Sequence, residues 1–220
     1  GARYVVVLSD LWGYPRETGY TRPPPYADYD AWADFVRRTA EANRGRRLVW
    51  EIWNEPDRPE FWRGTREQYQ ETYRVAERVL RQVLGSSAVV AGPGVGAYRW
   101  AWLQGLFDFC RERGCRVDAL TWHELQYGNV SIAGIAGHVR AARAQLVDDP
   151  AYADVGAREI QITEYGGPDD RLQPGEQLGY LYYLERGGAD GAARACWPDP
   201  CGRPTCDRLT LGGLLDHRTM

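Results

Sequence analysis

LVWEIWNEPD (residues 48–57) and IQITEYGG (residues 160–167) decide the reading of this chain. Each is a short apolar, β-branched run that closes in a polar turn carrying a glutamate, Glu55 in the first and Glu164 in the second. Working outward, runs of the same kind stand near residues 4–10 (YVVVLSD), 88–92 (AVVAG), 117–123 (VDALTWH) and 192–197. Between them lie stretches with apolar residues at helical spacing, at 28–43, 65–84, 98–113, 131–147 and 174–186. Thr65, followed by a charged first turn, marks the start of the second of these helices. Strand followed by helix, repeated along the chain with strands apolar on both faces, predicts a parallel α/β fold.

Six strands fit either a doubly wound sheet or an incomplete (β/α)8 TIM barrel, which takes about 250 residues and eight units when whole. The placement of the polar and aromatic residues favours the barrel. Trp12, Asn54, Glu55, His123, Glu164 and Trp197 sit at the C-terminal ends of several strands, the face on which a barrel gathers its chemistry. The 220 residues read as a single domain. The chain opens on Gly1 almost directly in a strand, which points to a processed N-terminus or to a piece of a longer protein.

Composition excludes several classes of function. The formal net charge of -3 offers no global attraction to nucleic acid or an anionic membrane. No apolar run approaches the length of a membrane span. All 27 basic residues are arginine, so chemistry that needs a lysine Schiff base or a P-loop lysine is ruled out. With four serines and no GxSxG elbow, serine nucleophile chemistry is unsupported. No cofactor and no metal are expected. The 9 Trp and 14 Tyr against 4 Phe favour rings with a polar tip, suited both to packing between barrel and helices and to a sugar-stacking cleft.

Alternation along a strand puts Glu51, Trp53 and Glu55 on one face, and Ile160, Ile162 and Glu164 on one face of theirs. Three strand–helix units separate Glu55 from Glu164, so in a barrel the second carboxylate stands roughly opposite the first. Two carboxylates facing each other across a sugar ring are the apparatus of glycosidic bond cleavage. Glu51, lower on the strand, reads as a buried structural partner for an arginine.

Asn54-Glu55-Pro56 after a strand, with a second glutamate ending a later strand, resembles the clan A glycoside hydrolases. WEIWNEPD (50–57), TWHELQY (121–127), ITEYGG (162–167) and LGGLLD (211–216) are together most similar to family 39, which includes β-xylosidases, α-L-iduronidase and bacterial endoglycosidases. The resemblance runs in order over nearly the whole chain. It implies that Glu55 is the acid/base and Glu164 the nucleophile of a retaining double displacement on an oligo- or polysaccharide. Glu55 is then protonated and Glu164 ionised in the free site. Asn54 would bond the sugar 2-hydroxyl, His123 and Tyr127 would line the sugar site, Trp197 would form the stacking platform, and Trp12 would line the same mouth. The clan pattern makes Glu55's strand the fourth and Glu164's the seventh. Strands 3 to 8 are then present, the first two βα units and their mouth arginine are missing, and the chain stops where the last helix would begin. The rival expectation is a non-catalytic sugar-binding or scaffold remnant of such a barrel.

Other signals are weaker. GPGVG (92–96) lacks the GxGxxG spacing of a phosphate cradle and reads as a tight βα turn. Of five cysteines, Cys196, Cys201 and Cys206 admit a zinc reading, but their spacing is not CxxC and no histidine follows until His217. Local disulfides Cys110–Cys115 and Cys201–Cys206 are favoured, which leans towards an oxidising, extracellular or periplasmic compartment.

Overall fold

The computed structural model describes residues 3–9, 24–125, 131–167 and 174–195. Six strands form one parallel sheet in the order β1 to β6: Tyr4–Leu8, Leu48–Ile52, Val89–Val95, Ala119–Leu125, Glu159–Gly166 and Gly191–Arg194. Helices follow in alternation: α1 Tyr29–Ala42, α2 Arg66–Leu84, α3 Trp100–Arg113, α4 Ile135–Ala142 and α5 Pro174–Gly187. The stretch read as one helix over 131–147 divides into a 3-10 turn (Ile132–Gly134), α4 and a π-helical turn (Arg143–Val147). No helix among the described residues is long and apolar enough to cross a membrane.

Local chemistry sets the helix starts. Asp28 accepts from the backbone N–H groups of Asp30 and Ala31 at the head of α1. Thr65 and Gln68 form a reciprocal capping box at the head of α2. The helices then bury one stripe each against the outer face of the sheet. Trp32, Trp50, Trp53, Trp62 and Trp122 lie in that outer core, so most of the tryptophans serve packing. Trp32 also donates its indole N–H to the carbonyl of Thr72, which ties α1 to α2. The inner face is lined by small residues, Val49, Ala91 and Ala119.

The sheet is curled into an open barrel. Laid flat, β1 and β5 would be about 19 Å apart, four inter-strand spacings. Instead Arg3, just before β1, makes two hydrogen bonds of 2.9 and 2.6 Å to Glu159 at the start of β5. Higher in the lumen, Thr163 of β5 donates to Glu51 of β2 at 2.9 Å. These ties bring non-adjacent strands together across the interior, which only strong curvature permits.

Two expectations about side-chain facing are corrected. Trp53 does not share a face with Glu51: its φ is 70°, outside the extended region, and its ring turns outward to meet Trp32 and Trp62. Ile160 and Ile162 pack in the outer core, whereas Thr163 faces the lumen. Glu164 reaches the mouth because the register breaks between Ile162, paired with Trp122, and Glu164, paired with His123. Thr163 is the extra residue of that bulge. Cys110 and Cys115 form the expected disulfide. The cysteines at 196, 201 and 206 lie outside the described residues.

Candidate active site

The site is assembled at the C-terminal ends of β2, β3, β4 and β5. Glu55 stands three residues beyond β2 in a loop that holds it at φ 44°, a backbone conformation rarely adopted by residues with a side chain. Its N–H donates to the carbonyl of Gly94 on β3 at 2.8 Å. His123 comes from β4 and Glu164 from β5. One oxygen of each glutamate and one nitrogen of the histidine all lie within 4.8 Å of one another. Asn54 sits half-buried beside Glu55 in the chain. Tyr127, Trp197 and Trp12, the other expected sugar contacts, lie outside the described residues.

His123 is fully enclosed, with its Nδ1 2.9 Å from Glu55 and 3.7 Å from Glu164. Nδ1 and Oε1 of Glu55 share this hydrogen bond, in which Nδ1–H is the donor whenever Glu55 is ionised. Burial opposes a charge on the ring, but the bond to Glu55 and the fields of Glu164 and Glu51 outweigh it and raise the imidazole pKa. Arg58, three residues after Glu55, places its Nε 3.2 Å from the other oxygen of that carboxylate. Arg99 pairs with Asp57, whose second oxygen accepts the N–H of Gly96 at 2.8 Å.

Glu164 has different surroundings. Its carboxyl is pushed up to about 7, chiefly by burial; His123 opposes the rise, and the nearby Glu55 and Glu51 add to it. The sequence led to an ionised Glu164 beside a protonated Glu55. Burial opposes that ionised state of Glu164, with His123 working the other way, and both Arg58 and His123 face the carboxyl of Glu55.

Glu51 is also corrected. No arginine meets it among the described residues; its carboxylate accepts from Thr163 and is hydrogen-bonded to Thr121, one hydroxyl from each of two neighbouring strands. GPGVG is not a plain turn either, because β3 continues through Val95. Its glycines make room for the site: a Cβ at Gly94 would stand 3.1 Å from Glu51, and one at Gly96 would stand 2.9 Å from the carboxyl of Glu55. Sequence reasoning missed Arg58, Asp57, Gly94 and Gly96. The position of Asp57 and Arg58 directly after Asn54-Glu55-Pro56 was the available signal.

Residues 21–149 match the sequence model of Glycosyl hydrolases family 39. Glu55 and His123 fall inside that span, and Glu164 falls beyond it. A beta-xylosidase of Caldicellulosiruptor saccharolyticus is 31% identical over 108 residues, which are 46% of this chain and 22% of that protein. A beta-xylosidase of Geobacillus stearothermophilus is 29% identical over 114 residues, 48% of this chain and 22% of that protein. Among solved structures, a monomeric beta-xylosidase from Caulobacter crescentus CB15 superposes with a TM-score of 0.69 at 21% identity, covering 87% of this chain and 44% of that one. The GH39 enzyme from Xanthomonas axonopodis pv. citri gives 0.63 at 20%, covering 87% and 42%. The chain thus spans less than half the length of these solved relatives, and the shared architecture is that of an incomplete (β/α)8 barrel.

Proposed function

Because the chain belongs to glycosyl hydrolases family 39, we propose that the full-length protein is a retaining glycoside hydrolase that uses Glu55 as acid/base and Glu164 as nucleophile. The observation that carries this reading is the approach of the two carboxylates and His123 to within 4.8 Å. Retaining enzymes hold their carboxyl groups about 5 to 5.5 Å apart, whereas inverting enzymes leave about 6.5 to 9.5 Å for a water.

In the first step an oxygen of Glu164 forms a bond to the anomeric carbon as the glycosidic bond breaks and Glu55 gives its proton to the departing oxygen. In the second step Glu55, now a carboxylate, takes a proton from water, whose oxygen displaces Glu164 from the sugar. Nδ1–H of His123 holds the Glu55 carboxylate in place between the steps. Asn54 binds the sugar 2-hydroxyl, and Tyr127, Trp12 and Trp197 complete the sugar contacts. The substrate is an oligo- or polysaccharide. β-Xylosides are the first to try, since the two curated relatives named above are beta-xylosidases.

The test is incubation of the full-length protein with an activated 2-deoxy-2-fluoro-β-xyloside, followed by peptide mass mapping. A stable glycosyl ester on Glu164 is expected. Turnover of the parent xyloside with the label on another residue overturns the assignment. Saturable sugar binding with neither turnover nor label returns the chain to the non-catalytic, sugar-binding reading.

A further inference from the structure

Glu51 is the carboxylate the proposed reaction does not use, and it is only 1% exposed. It lies on the strand that leads to Glu55, four residues before it. Burial pushes its carboxyl above the usual range, while His123 and the bonds to Thr121 and Thr163 oppose the rise.

Its contacts reach both site glutamates. Thr163 donates to Glu51 at 2.9 Å and is the residue immediately before Glu164. Thr121 hydrogen-bonds Glu51 as well, and its hydroxyl oxygen accepts the N–H of Gly94 at 3.0 Å. The carbonyl of Gly94, a position where a Cβ would stand 3.1 Å from Glu51, accepts the N–H of Glu55 at 2.8 Å. One side chain therefore links β2, β3, β4 and β5 at the level just below the reacting groups. Thr163 is also the bulge residue of β5, left out of the pairing on both sides: Ile162 pairs with Trp122 and Ala192, and Glu164 with His123. A bulge is unpaired by construction and so depends on side-chain bonds to fix its orientation.

We propose that Glu51 is a positioning residue that sets the separation of Glu55 and Glu164 by holding the Thr163 bulge of β5 against β2. This rests on the reading of the two glutamates as acid/base and nucleophile. The role needs an acceptor for the Thr163 hydroxyl and does not need a charge. Its removal acts on the chemical step, because a misplacement of about 1 Å in a reacting group costs about 100-fold in rate.

The experiment compares the full-length protein with Thr163→Val, Glu51→Leu and Glu51→Gln, all first checked for a cooperative melt. Substrate is an aryl β-xyloside, with the first-order rate of 2-fluoro glycoside trapping measured alongside. Thr163→Val and Glu51→Leu are expected to lower kcat and the trapping rate by about 10- to 100-fold, with KM nearly unchanged, and Glu51→Gln to stay near the parent. Parental kcat in folded Thr163→Val overturns the proposal, as does a Glu51→Gln variant as slow as Glu51→Leu. A crystal structure of Thr163→Val gives a readout that does not depend on activity. The Glu164 carboxylate is expected to withdraw from His123, and an unmoved Glu164 overturns the positional role. A parent protein that is neither turned over nor labelled overturns the reading of the glutamates, while the crystal structure still decides the role of Glu51.

Discussion

The Nδ1 of His123 lies 2.9 Å from Oε1 of Glu55, with the imidazole wholly enclosed. Because the raised pKa of this ring comes from the carboxylates around it, its titration reports on the site without any substrate. Imidazole 15N spectra across pH should place His123 above the ordinary value of about 6.5. Its contribution to stability is fully present below about pH 6.5 and is lost as pH rises through the folded value. Glu55→Gln should lower the titration point. An unchanged one would show that the hydrogen bond to Glu55 does not hold the proton.

Glu164 gives a second prediction that depends on pH. Its carboxyl binds a proton up to about 7 in the folded chain, against about 4.3 when unfolded. Between those values the folded state holds the proton more tightly, so stability falls as pH rises and levels off above about 7. The cost of ionising Glu164 is on the order of 3 kcal/mol. Glu164→Gln should therefore stabilise the protein at pH 8 by about 1 to 3 kcal/mol and leave it unchanged near pH 4. Urea denaturation at the two pH values checks this, and equal shifts at both would refute it. The same ionisation places the acid limb of the kcat/KM profile near pH 7 for a Glu164 nucleophile.

Gly96→Ala puts a methyl group against Arg58 and the carboxyl of Glu55. Crowding of this kind costs about 1 to 3 kcal/mol in a packed interior. The half-exposed Arg58 can yield, so the loss should fall on rate: kcat/KM lower by about 10-fold or more with a smaller effect on the melting temperature. Parallel assays of an alanine at Gly175, where a Cβ meets nothing within 4 Å, supply the control.

Glu55→Ala removes the proposed proton donor and leaves a space beside His123. Hydrolysis of substrates with poor leaving groups should fall by about 100- to 10,000-fold, while activated aryl glycosides still form the glycosyl-enzyme. Azide should then restore turnover and release a glycosyl azide of retained configuration, identified by NMR. Equal loss on both substrate types contradicts the acid/base role.

Apolar runs bounded by polar turns located each of the six strands to within a few residues, and Thr65 marked its helix start, because these signals are local. The positions of Glu55, His123 and Glu164 followed from strand order. Three features did not. Trp53 leaves the alternation through a positive φ that no residue type announces, least of all tryptophan. Thr163 is an extra residue only relative to neighbouring strands, a property of pairing and not of its own sequence. Arg58 was passed over because a charged residue in a loop reads as solvated until the chain reversal that brings it back to Glu55 is known.

The bonds that span the hollow of the sheet, Arg3 to Glu159 at the floor and Thr163 to Glu51 above, act as struts. A structure braced from within keeps its shape at an open seam. Both struts draw β5 across the lumen, towards β1 and towards β2, so the bow of the wall is held from inside as well as by the strand pairing. Loss of either strut should therefore relax the curvature on which the approach of Glu55 to Glu164 depends.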